Sequence, residues 1–234
     1  MRIARGYDLG RAGVELKALM ANPDDLPRVF GLIEALAGTA SERLRAGFET
    51  TESGKALLAD QPDIVPLLSD RPALEAMPAD SLAHAYLAFV KSEGITAEGL
   101  VAAAAEGQRE EVDDGFKWQR ARMRDTHDLW HAVTGYQGDV LGELALLAFF
   151  LGQNWHPGIA LVVGASFAKG LTGESGWLLA EGYVRGKRAA WLPSQPWEQL
   201  LPLPIAQVRE QLRVGSPPQY VPARTADLRA RGLL

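Results

Sequence analysis

The stretch THDLWHAVTGYQGDVLGE, residues 126–143, places two histidines four residues apart and a glutamate twelve residues after the second. On a helix, His127 and His131 lie one turn apart on the same face. This is the spacing with which a helix offers two imidazoles to one metal ion. Asp128 lies about 100° round the helix from His127, where its carboxylate can bind the ion or orient a ligand. The pattern predicts a metal site, and a hydrogen-bonded polar helix face is the alternative.

A straight helix would put Glu143 about 18 Å from His131, because each residue advances the helix by about 1.5 Å. Ligands of one ion each lie about 2 Å from it, so Glu143 can join the histidines only if the helix breaks between them. Gly135 and Gly138 can end one helix, and Asp139 can cap the next. The sequence therefore predicts a broken helix pair, with Glu143 in the first turns of the returning helix.

Helical spacing of apolar residues recurs outside this stretch, whereas strand signals are scarce. We predict helices at residues 24–38, 78–94, 113–134 and 140–152. Residues 158–170 fit either a strand or a buried helix, and their helical neighbours favour a helix. Residues 197–214 fit a turn followed by a helix. Residues 1–234 are therefore predicted to form a single, all-α domain.

The composition limits the kinds of function. The chain has no cysteine, which excludes disulfides and thiolate ligands, so a metal must be held by His, Asp or Glu. A net charge of −5 argues against a nucleic-acid partner, which usually needs a basic surface. The start of the chain lacks a signal-peptide pattern, and the longest apolar run, LALLAFFLG (144–152), is shorter than the roughly 20 residues of a membrane span. We expect a protein that is soluble or bound to a membrane only at its surface.

Three basic residues precede the histidines at helical spacing. Lys117, Arg120 and Arg124 step by three and four residues toward His127 and His131, which places all five on one stripe of a continuous helix. The functional interpretation is an anion-binding approach to the metal, suited to a carboxylate or a phosphate. The alternative is a solvated basic face paired with acids.

Two known metal patterns fit the motif poorly. The zinc-protease signature has a glutamate where this chain has Asp128, which is one methylene shorter and weakens the case for a general base. A phosphohydrolase pattern would combine the His127–Asp128 doublet with a distant histidine such as His84. That pattern leaves His131 and Glu143 without a role.

The motif resembles the signature of the coenzyme Q biosynthesis protein 4 family, which is His-Asp-x-x-His, eleven residues, and then Glu. The block MRDTHDLWHAVTGYQGDVLGELALLAFFLGQ (123–153) is similar to the centre of that family, and MPADSLAHAYLAFVKSEG (77–94) is similar to the segment before it. Residues 180–214 resemble its C-terminal segment, which ends in a Pro-Pro-x-Tyr tail. Here that tail is Pro217, Pro218 and Tyr220. The resemblance covers about residues 65–222 and is weak over residues 1–64.

The resemblance implies an all-helical fold, a divalent metal and a role in ubiquinone synthesis. The implied metal ligands are His127, Asp128, His131 and Glu143, and the metal of the family is given as zinc. Since zinc has no redox chemistry, an oxidative reaction would need iron or manganese, or a separate electron acceptor. The implied reaction is that of a lyase which removes the carboxylate from ring carbon 1 of a polyprenylated hydroxybenzoate precursor and leaves a hydroxyl. The alternative is a non-catalytic scaffold that presents the lipid to partner enzymes.

Further expectations follow from the residue spacing and composition together with the resemblance. We assign catalytic roles to Arg124 and Asp128, and substrate binding to Lys117, Arg120 and Arg124. The apolar runs at 144–152 and 158–167 can line a groove for the polyprenyl tail, or they can be plain core. Family members lie at the membrane surface beside other enzymes of ubiquinone synthesis. Because no targeting peptide is recognisable, we expect a cytoplasmic, bacterial protein that is peripheral on the inner membrane, and a homodimer is left open.

Overall fold

The computed structural model describes residues 6–22, 25–94 and 115–233. Over these ranges the chain is helical and forms no strand, and an isolated antiparallel bridge pairs Ser81 with Pro204. The prediction of an all-α protein is therefore confirmed. The helices are α1 (Leu9–Ala21), α2 (Leu26–Ala35), α3 (Ala40–Phe48), α4 (Glu52–Asp60), α5 (Val65–Ser69), α6 (Arg71–Glu75), α7 (Leu82–Glu93), α8 (Lys117–Asp125), α9 (His127–Thr134), α10 (Val140–Gln153), α11 (Pro157–Ala168), α12 (Gly176–Arg188), α13 (Trp197–Leu200), α14 (Ile205–Leu212) and α15 (Thr225–Ala230).

The helices predicted at 24–38, 78–94 and 140–152 are confirmed as α2, α7 and α10. In α7 the Ser81 hydroxyl accepts a hydrogen bond from the His84 N–H at 3.3 Å, and Gly94 ends the helix with a positive φ of 67°. Both are the residue types that helix ends favour. The prediction of a helix at 158–170 is confirmed by α11, and the turn and helix at 197–214 are confirmed by α13 and α14.

The continuous helix predicted at 113–134 is wrong, because the described part of it is interrupted at Thr126. The Thr126 side chain is buried, and its hydroxyl donates to the Arg122 carbonyl at 2.8 Å. A threonine that bonds back to the preceding turn competes with the helix and bends it. Residues 113–114 lie outside the described ranges. The interruption separates the basic helix α8 from the histidine helix α9.

Most buried side chains join one hydrophobic core, to which both α1 and α15 contribute. Helices α10 and α12 pack along each other at its centre, and glycines allow their backbones to approach closely. A Cβ added at Gly186 would lie 2.0 Å from the Phe149 carbonyl oxygen, and one at Gly152 would lie 2.4 Å from the Tyr183 carbonyl oxygen. No side chain fits at these distances. The glycines therefore decide how near α12 lies to the helix that carries Glu143.

His156 is buried at the start of α11 and caps it, because its Nδ1 accepts a hydrogen bond from the Gly158 N–H at 3.1 Å. Burial lowers the pKa of His156 to about 4, and the charge of Arg43 adds to the effect. The structure thus stabilises the neutral imidazole, which can accept that hydrogen bond. Protonation would remove the cap and leave a buried charge.

This arrangement predicts a loss of stability in mild acid. Neutral His156 contributes to the free energy of unfolding. This contribution is fully present above about 6.5, the pKa of His156 in the unfolded chain, and is lost as the pH falls toward 4, its pKa in the folded chain. At about 1.4 kcal/mol per pKa unit, the loss is up to about 3 kcal/mol. His156→Asn keeps a capping side chain without a titrating group. Denaturant unfolding between pH 4 and 6.5 should show a shallower pH dependence in the variant, and parallel curves would contradict the prediction.

Candidate metal centre

His127, His131 and Glu143 come together at one point. One ligand atom from each lies within 4.8 Å of the others. The Glu143 carboxylate faces both rings, with Oε2 at 3.6 Å from His127 Nε2 and Oε1 at 3.3 Å from His131 Nε2. The two imidazole rings are 4.6 Å apart and cross at 73°. These three residues are the group that could hold a metal within the described part of the chain.

The other nitrogen of each imidazole already has an acceptor. His127 Nδ1 lies 3.1 Å from Asp128 Oδ1, and His131 Nδ1 lies 3.0 Å from the Tyr136 carbonyl oxygen. A neutral imidazole carries one proton, and an acceptor at Nδ1 places it there. When both rings are neutral, each Nε2 presents a lone pair to the point that Glu143 faces. Metal-bound histidines are oriented in this way by outer partners.

The buried Nε2 of His131 makes no hydrogen bond to any described residue, although Glu143 Oε1 is near it. An unpaired polar atom inside a protein is costly, and a metal ion would give it a partner. Two imidazole nitrogens with one carboxylate suit divalent zinc, iron or manganese. The donor set and the unpaired nitrogen therefore both fit a metal ion.

The turn between α9 and α10 brings Glu143 back to the histidines. Gly135 ends α9 with a φ of 79°, and its N–H donates to the His131 carbonyl at 2.8 Å. Asp139 begins α10, where its carboxylate accepts from the Leu141 N–H at 3.0 Å. The helix break predicted from these residues is confirmed, and it places Glu143 in the first turn of α10.

Two arginines hold the carbonyl end of α9. A helix leaves its last four carbonyls without partners inside the helix. Here all four carbonyls accept a hydrogen bond. The Gly135 N–H donates to the His131 carbonyl, and the Arg209 side chain donates to the carbonyls of Ala132 and Val133. The Arg185 side chain donates to the Thr134 carbonyl. Positive charge at a helix C-terminus also complements the helix dipole. The histidine helix is therefore fixed at this end by side chains from α12 and α14.

The charges at the centre reinforce one another. Burial by itself lowers the pKa of His127, but its hydrogen bond with Asp128 and the charge of Glu143 outweigh burial and raise that pKa to about 10. Burial favours a higher pKa for Glu143, but His131 and His127 outweigh it and hold that pKa well below its usual range. At neutral pH the metal-free centre thus carries a proton on His127, and a metal ion would displace it.

Access to the centre is uneven. The His131 side chain is fully buried, whereas the side chains of His127 and Glu143 are 35% and 39% exposed. Phe89 stacks on the His131 ring at 4.6 Å and 10°. Asp128 is buried beside His127 and is not part of the three-residue group, so its predicted role as a metal ligand stays a prediction.

The basic residues of α8 and the histidines of α9 lie on two helices and not on one continuous helix, because the helix is interrupted at Thr126. The Arg124 Nε donates to Asp125 at 2.6 Å. Burial raises the pKa of Asp125, even though Arg124 acts against the increase. Lys117 is exposed and Arg120 is half-buried on the same helix. The predicted substrate-binding roles of these cations stay predictions.

His84 lies outside the candidate metal centre, and most of the first apolar run, residues 144–152, belongs to the hydrophobic core. His84 Nε2 lies 3.2 Å and 3.1 Å from the carbonyl oxygens of Glu75 and Met77, and His84 is outside the three-residue group. Along residues 144–152 most side chains are buried in the core. Leu161 and Phe167 of the second run are exposed.

Sequence reasoning missed Phe89, Arg185 and Arg209. They lie far along the chain from the motif, and no spacing rule connects them to it. The Tyr136 carbonyl was also missed, because every residue has a backbone carbonyl and the residue type does not show which one accepts a hydrogen bond.

Comparison with known proteins matches this chain to one family. The family model described as coenzyme Q (ubiquinone) biosynthesis protein Coq4 matches residues 12–218. A mitochondrial ubiquinone biosynthesis protein COQ4 of Podospora anserina is 28% identical over 213 residues, which are 88% of this chain and 67% of the relative. A mitochondrial COQ4 homologue of Culex quinquefasciatus is also 28% identical, over 84% of this chain and 71% of the relative.

A solved structure has the same fold. The crystal structure of a Nostoc punctiforme protein named for ubiquinone biosynthesis superposes with a TM-score of 0.66 at 22% identity, over 90% of this chain and all of the other. At that identity the likeness supports the fold alone. The family model, however, spans far more than half of the sequence and includes the whole histidine motif. The chain therefore belongs to the family of the coenzyme Q (ubiquinone) biosynthesis protein Coq4.

Proposed function

We propose that this chain binds one divalent metal ion through His127, His131 and Glu143 and uses it on a ring precursor of ubiquinone. The observation that carries the proposal is the number of converging ligands, which is three among the described residues. Structural zinc sites have four protein ligands, whereas catalytic sites keep a coordination position open. Two histidines and one carboxylate are also the ligand set of non-haem iron oxygenases. The arrangement therefore favours a catalytic metal over a structural one.

Asp128 supports the metal indirectly in this proposal. Its carboxylate is buried and bonded to His127 Nδ1, so it fixes the ring orientation and makes Nε2 a stronger donor. Because Asp128 also raises the pKa of His127, removing its charge would weaken the hold of that ring on a proton as well as on a metal.

The reaction proposed is the oxidative loss of a ring carboxylate. The bond between ring carbon 1 and the carboxylate breaks, carbon dioxide leaves, and one oxygen atom of dioxygen becomes the new hydroxyl. With dioxygen as oxidant, a separate two-electron reductant of the reduced nicotinamide or flavin class supplies the two electrons; two protons are taken up and one water is released. Iron or manganese would supply the redox chemistry that zinc lacks. The residues of this chain would bind the acid and hold the ring near His127 and Glu143.

The metal site is tested by removing one ligand. His131→Ala should lose nearly all bound metal, because the fully buried imidazole has no replacement nearby. Elemental analysis after loading with Fe²⁺, Mn²⁺ or Zn²⁺ should find about one ion per wild-type chain. His84→Ala is the matched control, since that histidine bonds to carbonyls outside the centre. Full metal occupancy in His131→Ala would refute the site.

The proposed recognition of the substrate carboxylate is tested by replacing Arg124. We propose that Arg124 leaves its pairing with Asp125 in part to bind the ring carboxylate as a charge-assisted pair. Arg124→Gln should then weaken binding of the acid precursor roughly tenfold, which is about 1.4 kcal/mol, and leave binding of the decarboxylated product nearly unchanged. Lys55→Gln, on α4 and also paired with a neighbouring acid, is the control. Equal losses for acid and product would contradict the assignment.

We also propose that the chain works at a membrane surface. Within the described residues, no helix combines the length and the apolar character that crossing a membrane requires. Several large apolar side chains are nevertheless exposed around α11 and the start of α12. They are Trp155 (58%), Leu161 (38%), Phe167 (61%) and Trp177 (49%). Leu161 and Phe167 lie on α11, and the Phe167 ring lies next to Gly176, the first residue of α12 and the neighbour of Trp177 in the chain.

Vesicle binding tests this surface. Replacing Trp155 and Phe167 together by Ser should lower partitioning onto phospholipid vesicles roughly tenfold, because each aromatic contributes apolar area that the membrane would cover. Sedimentation with vesicles measures the bound fraction. Val221→Ser, which alters an 82% exposed apolar residue in the tail, is the control. Lipid binding without conversion of the acid by iron- or manganese-loaded protein would favour the scaffold alternative.

A further inference from the structure

The tail Pro217-Pro218-x-Tyr220 has no part in the metal centre, but it crosses the turn that builds it. We call residues 217–224 the C-terminal strap and residues 135–139 the return. Pro217 packs on the first residue of the return, since a Cβ added at Gly135 would lie 2.4 Å from the Pro217 Cβ. This contact places the strap directly over the end of the histidine helix.

The Tyr220 hydroxyl bonds to the return at two points. It accepts a hydrogen bond from the Gln137 N–H at 2.9 Å and donates one to Asp139 Oδ2 at 2.8 Å. The same oxygen lies over Gly142, where an added Cβ would be 2.5 Å from it. One hydroxyl group therefore contacts the middle and the last residue of the return, and also the residue immediately before Glu143.

The rest of the strap ties the return to neighbouring helices. The Ala223 N–H donates to Asp139 Oδ1 at 2.8 Å, and the Ala223 carbonyl accepts from the Val140 N–H at 3.1 Å. Arg224 donates to Glu93 at 3.0 Å, and Glu93 accepts from the Gly138 N–H at 3.3 Å. Asp139 is only 2% exposed, so its bonds are shielded from water.

These bonds act on the metal ligands from both sides. Gln137 follows Tyr136, whose carbonyl oxygen is the hydrogen-bond acceptor for His131 Nδ1. Gly142 directly precedes Glu143. A shift of the return would therefore move the acceptor that orients His131 and the carboxylate that completes the ligand set. Partners of metal ligands commonly change metal affinity 10–100-fold when they are removed.

We propose that Tyr220 is a positioning residue which, from the C-terminal strap, sets the distance between the histidine pair and Glu143. The inference rests on the metal site proposed above. It assigns to the tail motif a role in metal affinity and coordination geometry, in addition to folding. Tyr220 itself does not reach the ion and is not a ligand.

The test compares Tyr220→Phe with the wild-type chain. The variant keeps the ring and loses only the hydroxyl, so it should fold. We expect its affinity for Co²⁺ or Zn²⁺ to fall about tenfold or more, measured by competition with a chelator of known affinity. The visible absorption bands of the Co²⁺ protein should also shift, because they report the arrangement of the ligands. Hydrogen exchange of the amides at 137–141 should be faster in the metal-free variant.

Leu57→Ala is the control for general loss of stability. Leu57 is buried in a small cluster with Leu44 and Phe48, separate from the main core. Its truncation should lower stability without changing metal affinity or the Co²⁺ spectrum. Equal losses of affinity in Leu57→Ala and Tyr220→Phe would overturn the inference.

The remaining outcomes separate the inference from the metal site on which it rests. In one outcome, His131→Ala loses its metal, while Tyr220→Phe shows faster hydrogen exchange but unchanged metal affinity. This outcome would show that the strap only stabilises the turn, and it would overturn the positioning role of Tyr220. Retention of metal by His131→Ala would remove the metal site, and the positioning role with it.

Discussion

The buried carboxylate of Asp139 connects the C-terminal strap to the helix that carries Glu143 of the candidate metal centre. It accepts hydrogen bonds from Leu141, Ala223 and Tyr220 and lies at the start of α10, where the helix dipole favours a negative charge. A buried charge is tolerated only when such partners surround it. The position of Asp139 therefore depends on the strap, and the position of Glu143 depends on Asp139.

The histidine helix depends on the surrounding structure for its stability. An isolated helix of eight residues is too short to persist in water, so packing and end contacts must hold α9 in place. Nearly every residue of α9 is buried, and Arg185 and Arg209 bond its free carbonyls. Both arginines are held by carbonyl oxygens, and burial together with the charge of Arg185 lowers the pKa of Arg209. That arrangement leaves two cations close together at the end of α9.

Features of the fold and the candidate site that depend on residues close together in the chain could be predicted from the sequence. The histidine spacing, the glycine break and the Asp139 cap all lie within eighteen residues, and the structure brings His127, His131 and Glu143 together through that break and cap. The continuous helix at 113–134 was wrong because the side chain of Thr126 bonds back into the preceding turn, which periodicity does not detect. Helix α12 was missed because Gly182 and Gly186 reduce helix propensity. Their role is visible only once the backbone of α10 lies against them.

The two histidines differ as candidate metal ligands because the partners of their Nδ1 atoms differ. His127 bonds to a carboxylate, which makes its Nε2 the stronger donor, whereas His131 bonds to the neutral carbonyl of Tyr136. His131 is also enclosed under Phe89, while His127 and Glu143 are partly exposed. A ligand that arrives from solvent must therefore approach on the side of His127 and Glu143. In the proposed metal site, the more basic imidazole would face the incoming group, and the enclosed one would hold the ion against the core.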